Sequence, residues 1–369
     1  MNIGIPRETH PDENRISLTA EGAYTLVKEG HTVFVEHGAG EGCGFSDDNF
    51  QQMGGQIVFS SDEAFLRSNL VLKVMPPTRE ETEIIPDGLT LFSFMQLRFQ
   101  TKEILLRLME RDVTAFGIEL IESSPGYRPF SVAMSEIAGN MLPQIAGRFM
   151  QSDQGGQGIA IGGFPGIPPS VVVILGAGNL GTQAAGYFLS LGAQVIVLDE
   201  SLGHLRLLEE KLKGKLITSL TNSYSIDRAL KIADVFIGAI FHPGGKTPVV
   251  IKESDVKKMK PRALIIDASI DQGGCVETSH PTTLSDPVFE KHGVLHYCVP
   301  NIPSAAARTA SHALGNILLP FVAEIARNGV LEACREDPIL RTGLYLFEGK
   351  CVHRGIAELF DLPYEEFTC

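Results

Sequence analysis

This chain of 369 residues lacks the features of a membrane protein or of a disulfide-stabilised protein. No stretch reaches the roughly 18 consecutive apolar residues that a transmembrane helix needs, and residues 1–4 read as the start of a strand rather than as a signal peptide. The six cysteines are scattered without a Cys-x-x-Cys pair, which argues against a disulfide framework and against a zinc site. These absences predict a cytoplasmic protein with reduced thiols and no bound metal.

Positive charge is also scarce, since 44 aspartates and glutamates outnumber 31 lysines and arginines and give a formal net charge of −13. Such an acidic balance argues against nucleic acid or an anionic membrane as a partner. A few local cations can still bind a small anionic substrate. The apolar fraction of 44% and the charged fraction of 20% are typical of a folded soluble protein, and the length allows two domains.

The most informative stretch comprises residues 171–199. Its first five residues are apolar and mostly β-branched, which predicts a buried strand. This strand leads directly into Gly176-x-Gly178-x-x-Gly181, which opens a helical pattern, and a second apolar strand ends at Asp199. In dinucleotide-binding folds the first glycine allows a tight turn, the second lets the backbone approach a pyrophosphate, and the third lets the helix pack close to the sheet. The N–H groups at the helix N-terminus bind the phosphates.

Asp199 follows the glycine turn at the spacing of about 20 residues that is typical of the ribose-binding acid. A carboxylate here accepts hydrogen bonds from both ribose hydroxyls and repels a 2′-phosphate, so the sequence predicts NAD rather than NADP. The alternative is a glycine-rich turn in some other α/β protein. The residues predicted to bind the cofactor in this stretch are Gly176, Gly178, Asn179, Leu180, Gly181 and Asp199.

Strand and helix patterns alternate along most of the chain, and this alternation predicts parallel βαβ units. The fold class is therefore α/β, with two Rossmann-like doubly wound domains separated by a cleft. A Gly- and Pro-rich stretch at 154–169 is the clearest composition shift, and composition alone places a domain boundary just before it. The predicted strands outside the central stretch are 2–5, 32–36, 70–75, 113–120, 235–240, 263–267 and 294–299.

Two groups of charged residues allow more than one interpretation. Lys73 interrupts the apolar run 70–75, and a lysine inside a strand is rarely buried without a partner. It either extends to solvent at the strand end or lies in a cleft and pairs with a carboxylate. The densely charged loop at 7–15 follows the first strand, and most of its residues are expected to be solvated.

Several stretches match one family. The chain resembles the alanine dehydrogenases and the NAD-binding subunit of proton-translocating nicotinamide nucleotide transhydrogenase, and the matching stretches span nearly the whole length. The ENR and IDQGGC motifs indicate the alanine dehydrogenase branch. The matching stretches are residues 4–8 (GIPRE), 13–19 (ENRISLT), 72–74 (LKV), 134–139 (MSEIAG), the glycine turn, 270–275 (IDQGGC) and 299–311.

The resemblance implies a bilobal subunit, in which both chain ends build a substrate lobe and the middle of the chain builds an NAD lobe. The corresponding domains are residues 1–128, residues 129–306, and residues 307–369, the last a helical segment that returns to the substrate lobe. The resemblance also implies that subunits assemble into a homohexamer.

Residue roles follow from the same resemblance. Arg15 and Lys73 match the two cations that hold the substrate carboxylate, for which a planar guanidinium and a compact ammonium are suited. Asp271 matches the catalytic aspartate. The other matched cofactor contacts are Ser135, Ala239 and Asn301.

The chain departs from this family at Gln96. Alanine dehydrogenases carry a catalytic histidine in a Leu-His-Leu context, and the aligned strand 91–97 has glutamine at that position. An amide can orient a carbonyl or a water but cannot exchange protons near neutral pH. Gln96 is therefore expected to hold the carbonyl or carbinolamine oxygen, and the chain is identified as a divergent member.

The first functional hypothesis is an NAD-dependent dehydrogenase that interconverts a small L-amino acid, with alanine the best guess, and its 2-oxo acid and ammonia. One alternative is an NAD-binding regulatory or assembly protein that has lost this chemistry, which the glutamine at position 96 favours. The other is the transhydrogenase NAD subunit, which the ENR and IDQGGC motifs disfavour.

Overall fold

A computed structural model describes residues 1–95, 101–242 and 246–368. The strands are β1 (Asn2–Ile5), β2 (Thr32–Glu36), β3 (Gln56–Val58), β4 (Leu70–Leu72), β5 (Thr90–Ser93), β6 (Thr114–Gly117), β7 (Val171–Leu175), β8 (Gln194–Asp199), β9 (Ile217–Leu220), β10 (Val235–Gly238), β11 (Leu264–Asp267), β12 (Val288–Lys291), β13 (Val294–Tyr297), β14 (Leu344–Phe347) and β15 (Lys350–Cys351). The helices are α1 (Ala20–Lys28), α2 (Asp47–Gln52), α3 (Ser61–Leu66), α4 (Arg79–Ile84), α5 (Lys102–Glu110), α6 (Pro129–Phe149), α7 (Asn179–Ser190), α8 (Leu202–Leu212), α9 (Ser223–Ile232), α10 (Glu253–Val256), α11 (Ala307–Asn328), α12 (Val330–Glu336), α13 (Pro338–Thr342) and α14 (Arg354–Phe360).

The chain divides into two compact units. The first comprises Met1–Ala133 together with Ala306–Cys369, and the second comprises Met134–Ala305. The Gly- and Pro-rich stretch at 154–169 lies inside the second unit, so the boundary that composition places before residue 154 is wrong. Part of this stretch is a tight turn, in which Phe164 and Ile167 exchange backbone hydrogen bonds around Gly166, whose φ is +88°. Glycine and proline there favour a turn and do not form a linker.

The sheet of the first unit has the strand order β15-β14-β6-β5-β4-β1-β2-β3. The six strands from β1 to β6 are mutually parallel, and β14 joins this set antiparallel to β6. The order β3-β2-β1-β4-β5-β6 is that of a doubly wound Rossmann sheet. The order reverses between β1 and β4, and ligands bind beyond the carboxyl ends of the strands at such a reversal.

The sheet of the second unit repeats this order. Its strands run β12-β13-β11-β10-β7-β8-β9, parallel throughout except for β12 at the edge. The reversal here lies between β7 and β10. The predicted α/β class with two doubly wound sheets is confirmed.

Apolar side chains of β7 alternate between two clusters, one on each side of the second sheet. Val172 and Ile174 belong to the first cluster, whereas Val173 and Leu175 belong to the second. A parallel strand that is covered on both faces reads as a continuous apolar run, which is why residues 171–175 predict a buried strand so clearly.

The assignment of residues 307–369 as a helical segment is wrong in part. Strands β14 and β15 lie within it and extend the first sheet beyond β6. Strand β15 pairs with β14, but the other neighbour of β14 in the sheet is β6, more than two hundred residues away in sequence, so a local pattern carries little sign of that pairing. None of the helices that the described residues form is long and apolar enough to cross a membrane.

Candidate active site

Two glycines of the turn between β7 and α7 are required by close backbone packing. Gly176 has a φ of +113°, and a Cβ there would lie 2.4 Å from the carbonyl oxygen of Ala239. A Cβ at Gly181 would lie 1.9 Å from the carbonyl oxygen of Gly176. Only glycine fits either position, because any side chain would collide with main-chain atoms. These contacts agree with the predicted tight turn and close helix packing.

Gly178 differs from the other two glycines, because a Cβ there would meet no atom within 4 Å. It is the N-cap residue of α7, and both Gly178 and Asn179 are exposed. The absence of a side chain leaves space directly in front of the first N–H groups of the helix. This space and these donors fit a pyrophosphate, which the partial positive charge of a helix N-terminus also favours.

Asp199 lies at the end of β8, next to the same turn. Its Oδ2 accepts a hydrogen bond from the backbone N–H of Ala177 at 2.7 Å, and its Oδ1 accepts one from the N–H of Ser201 at 2.7 Å. These bonds fix the carboxylate against the glycine turn. Each carboxylate oxygen has more than one lone pair, so the fixed group can also accept hydrogen bonds from ribose hydroxyls. The residues of this turn therefore fit an adenine dinucleotide.

Loops that follow β10, β11 and β13 carry three further predicted residues. Ala239 comes directly after β10, and its N–H donates to the carbonyl oxygen of Leu175 at 2.8 Å. Asp271 lies in a 3₁₀ turn after β11, and its Oδ1 accepts a hydrogen bond from the N–H of Asn301 at 3.0 Å. Asn301 has a φ of +54°, a left-handed conformation that asparagine tolerates better than most residues. The structure thus brings Asp271 and Asn301 together.

Strands β13, β11, β10, β7 and β8 are consecutive neighbours in the second sheet and run parallel. Their carboxyl ends therefore lie along one edge, where the glycine turn, Asp199, Ala239, Asp271 and Asn301 follow the strands. In doubly wound sheets this edge is where ligands bind.

Sequence analysis missed Asp267, the last residue of β11. Its carboxylate accepts hydrogen bonds from the N–H groups of Ser269 at 3.2 Å, Cys275 at 3.0 Å and Val276 at 3.2 Å. Burial raises the pKa of Asp267, although these hydrogen bonds oppose that shift. Asp267 thereby ties together the two ends of the loop that carries Asp271. The sequence feature that could have identified Asp267 is its position: it is an acid at the end of a buried apolar run, as Asp199 is.

Ser135 lies half-buried on α6. One turn later on this helix, a Cβ at Gly139 would lie 2.7 Å from the Cβ of Gln183 and 2.9 Å from the carbonyl oxygen of Leu180. Glycine therefore allows α6 to pack closely against the first turns of α7. This packing places the part of α6 that carries Ser135 beside the helix of the glycine turn.

In the first unit, Lys73 lies one residue beyond β4 and has no exposed surface. Its Nζ lies 2.8 Å from Oε1 of Glu81 and 3.2 Å from Oε2 of Glu8. Burial lowers the pKa of Lys73, but the two carboxylates outweigh burial and raise it. The expectation that Lys73 pairs with a carboxylate is confirmed, and the alternative of a lysine that extends to solvent is wrong.

Arg15 is buried as well and is 3% exposed. Its Nε and Nη2 donate to the two carboxylate oxygens of Glu13 at 2.8 Å and 2.6 Å, which is a bidentate pair. The guanidinium carbon lies 5.9 Å from the ring centroid of Phe94, which follows β5. Both predicted substrate cations therefore already have carboxylate partners within the first unit.

The charged loop at 7–15 is not solvated throughout. The side chains of Glu8 and Glu13 are only 5% and 1% exposed, whereas Arg7, Asp12 and Asn14 are exposed as expected. Buried cations need nearby counter-charges, and these two glutamates supply them. The sequence predicted these buried glutamates only indirectly. A lysine in an apolar run indicates that some acid is buried beside it but does not identify that acid.

Gln96 lies outside the residues that the structure describes. The N–H of the preceding residue, Met95, donates to Oε2 of Glu119 at 3.0 Å. The other oxygen of Glu119 accepts a hydrogen bond from the hydroxyl of Tyr345 at 2.8 Å. Strand β14, to which Tyr345 belongs, thus anchors the backbone that leads to Gln96.

Two doubly wound sheets, one of which carries a dinucleotide-type turn, define a two-domain α/β protein of the Rossmann type. A family model described as "Alanine dehydrogenase/PNT, N-terminal domain" matches residues 4–138, and one described as "Alanine dehydrogenase/PNT, C-terminal domain" matches residues 143–354. The chain belongs to the alanine dehydrogenase/PNT family, as the resemblance predicts.

Full-length relatives lie in the alanine dehydrogenase branch. The alanine dehydrogenase of Methanococcus maripaludis is 37% identical over 99% of this chain and 98% of its own length. That of Staphylococcus haemolyticus is 39% identical over 99% of this chain and 97% of its own length.

Solved structures agree with this relationship. An L-alanine dehydrogenase superposes with a TM-score of 0.92 at 38% identity and covers 98% of this chain and 99% of its own. A transhydrogenase from Sinorhizobium meliloti superposes with a TM-score of 0.80 at 20% identity, over 96% of this chain and 99% of its own, and this likeness shows the fold alone.

Proposed function

We propose that this chain is an NAD-dependent alanine dehydrogenase, an oxidoreductase that acts on a CH–NH₂ group. It converts L-alanine, NAD⁺ and water reversibly into pyruvate, ammonium, NADH and a proton. One observation carries the proposal: a chain related over its whole length to alanine dehydrogenases combines the glycine turn and Asp199 with two buried cations, Arg15 and Lys73.

NAD is the cofactor that the residues of the second unit would hold. The N–H groups at the start of α7 would bind its pyrophosphate, and Asp199 would bind the adenosine ribose. NAD, when bound, supplies the acceptor for the hydride that leaves the substrate Cα. The further proposed contacts are Ser135, Ala239 and Asn301.

The substrate carboxylate is the group that the first unit would bind. Arg15 offers a planar fork of N–H donors and Lys73 offers a compact positive charge, and together they suit a carboxylate. Fixing the carboxylate fixes the position of the adjacent Cα, and such positioning accounts for much of the rate enhancement in reactions between two bound partners.

Asp271 is the group proposed to move protons. The substrate ammonium first releases one proton to solvent, and loss of hydride from Cα of the resulting amine leaves an iminium carbon, which water attacks. Asp271 accepts a proton from that water and returns it to the nitrogen. As the C–N bond breaks, the hydroxyl proton of the carbinolamine passes to the ammonia, which leaves as ammonium. The hydrogen bond from the N–H of Asn301 orients the carboxylate. The amide of Gln96 would donate a hydrogen bond to the oxygen of the carbinolamine. Gln96 is given no part in proton transfer, because an amide cannot exchange a proton near neutral pH.

Turnover with a panel of L-amino acids tests this proposal. The purified chain is mixed with NAD and each amino acid, and the absorbance of NADH is followed. Alanine is expected to give the highest kcat/KM. A chain that binds NAD but oxidises no amino acid would contradict the proposal and favour a regulatory role. Hydride exchange that needs an added NADP-binding partner would favour the transhydrogenase alternative.

A homohexamer and a cytoplasmic location are further proposals. The first rests on the family resemblance and the second on the scattered cysteines. Light scattering of the purified chain measures the first, with a mass of six subunits as the expected result. A dimer or monomer at working concentration would contradict it.

A further inference from the structure

Lys73 has two carboxylate partners, one more than are needed to neutralise its single positive charge. Lys73 lies within hydrogen-bond distance of both Glu81 and Glu8, and none of the three side chains is more than 5% exposed. A single cation is therefore buried with two carboxylates. Charges removed from water in this way interact strongly, because the surroundings screen them poorly.

The two carboxylates belong to different parts of the first unit. Glu81 lies in α4, where its Oε2 accepts a hydrogen bond from the N–H of Thr78 at 2.8 Å and completes a capping box. Glu81 thus has a second, structural task at the start of α4. Glu8 lies in the loop after β1, and its Oε1 accepts a hydrogen bond from the N–H of Val74 at 2.5 Å.

Burial is the main reason why the pKa of Glu8 is raised, and it outweighs the attraction of Lys73. The hydrogen bond from Val74 also favours the charged form, whereas the negative charges of Glu13 and Glu81 oppose it. Glu8 is therefore a carboxylate of this group whose charged form is disfavoured by burial.

A substrate carboxylate adds one more negative charge to this group. Arg15 and Lys73 already have three carboxylate partners, Glu13, Glu8 and Glu81. A fourth carboxylate would leave two negative charges uncompensated in a buried site. When carboxylates share a site in this way, one of them takes up a proton.

We propose that Glu8 takes up a proton from solvent when the carboxylate of the substrate binds at Lys73, and releases it when the carboxylate leaves. Glu8 then acts as the exchangeable counter-charge of Lys73: ionised in the free protein and neutral in the complex. The inference rests on the proposed function, since it assumes that Lys73 receives the substrate carboxylate. It makes substrate affinity depend on pH through a group that takes no part in the proton transfers of the reaction.

Calorimetry of oxamate binding measures this proton directly. Oxamate has the carboxylate of pyruvate but does not react, and it is titrated into the chain saturated with NADH in two buffers of different ionisation enthalpy. The dependence of the observed heat on the buffer gives the number of protons taken up. At mildly alkaline pH we expect about one proton for the wild type and about none for Glu8→Gln.

Glu36→Gln is the matched control. Burial raises the pKa of Glu36 as it does that of Glu8, and the charges of Lys73 and Glu81 act on Glu36 too. The difference is one of contact: Glu8 and Glu81 are the ion-pair partners of Lys73 in the described part of the chain, whereas the carboxylate of Glu36 accepts its hydrogen bond from the N–H of Arg7. This variant should take up about one proton, like the wild type. The wild type alone supplies a second measurement, because its oxamate affinity should fall about tenfold per pH unit above the pKa of Glu8.

The outcomes separate this inference from the proposed function. Equal proton uptake by the wild type and by Glu8→Gln, or an oxamate affinity independent of pH, overturns the role of Glu8 and leaves the dehydrogenase proposal intact if alanine is oxidised. Failure both to bind oxamate and to oxidise any amino acid overturns the proposed function and this inference with it.

Discussion

The loop after the first central strand is built very differently in the two units. Both sheets have the same strand order, with β1 and β7 in the equivalent position next to the reversal. After β7 the chain makes a glycine turn in which the donors are backbone N–H groups. After β1 it makes a charged loop that brings Glu8, Glu13 and Arg15 into a buried site. One topology therefore carries two proposed anion sites of different construction.

The difference follows from the anions that each loop is proposed to bind. A pyrophosphate is large and remains partly solvated, so backbone dipoles at a helix N-terminus suffice. A small carboxylate that must be held and desolvated needs full positive charges, and buried positive charges need counter-charges before the substrate arrives. On this account, the N–H donors of the glycine turn need no change before a phosphate binds. At the cation site, one carboxylate has to be neutralised by a proton when the substrate carboxylate binds.

Asp271→Asn should have the largest effect, because it removes chemistry while leaving both anion sites in place. The asparagine side chain retains an oxygen that can accept the hydrogen bond from the N–H of Asn301. We expect kcat for alanine oxidation to fall by about 10²–10⁴, the usual contribution of a general acid–base group. NAD affinity, measured by fluorescence titration, should change little. Undiminished turnover would remove Asp271 from the mechanism.

Lys73→Met tests the charged site. It leaves Glu8 and Glu81 buried without their cation, and the loss of one partner of a buried pair costs about 3–5 kcal/mol in the free energy of unfolding. Urea denaturation measures this loss, and KM for alanine should rise as well. The loss should be smaller for Lys73→Met combined with Glu8→Gln. Equal stability of the wild type and Lys73→Met would show that the buried cation is not needed.

Gly181→Ala and Gly178→Ala are a matched pair that tests the glycine turn. The methyl group at 181 would collide with the carbonyl oxygen of Gly176, so we expect a loss of about 1–3 kcal/mol in unfolding free energy together with weaker NAD binding. The methyl group at 178 meets only open space. It should leave stability within about 0.5 kcal/mol and weaken NAD binding by about tenfold, or about 1.4 kcal/mol. Equal effects on stability would contradict the assignment of Gly178.

Gln96→His tests the departure from the family pattern. If the missing histidine is the main defect in proton transfer, its return should raise kcat for alanine oxidation by about tenfold or more. The increase should depend on pH near neutrality, where histidine titrates. A pH profile of kcat provides the measurement. No increase would indicate that the surrounding residues have adapted to glutamine.

The smallest expected effect is a slope of stability with pH that comes from Glu8. Its pKa is raised in the folded state, so the folded chain binds more protons than the unfolded chain between the ordinary carboxyl pKa and the raised one. Its contribution to stability therefore falls as pH rises through this interval, by up to about 1.4 kcal/mol for each pH unit that the interval spans. Urea midpoints of wild type and Glu8→Gln across pH measure it, and identical slopes would contradict it.

The features that could be predicted from the sequence are those determined by residues close to one another along the chain. Gly176 and Gly181 contact atoms of their own turn or of an adjacent strand end, so a motif of six residues is enough to identify them. Lys73 indicated a buried charge but not its partners, because Glu8 lies in the loop after β1 and Glu81 lies in α4, and only the fold brings them together. Strand β14, together with β15 that pairs with it, was not predicted for the same reason, since its partner β6 is distant in sequence.

The central claim is that Arg15 and Lys73 receive the carboxylate of the substrate in a dehydrogenase that uses NAD. A crystal structure of the chain with NADH and oxamate tests it most directly. We predict that the oxamate carboxylate contacts the guanidinium of Arg15 and the ammonium of Lys73. Oxamate bound elsewhere, with both cations still held only by their glutamates, would contradict the account.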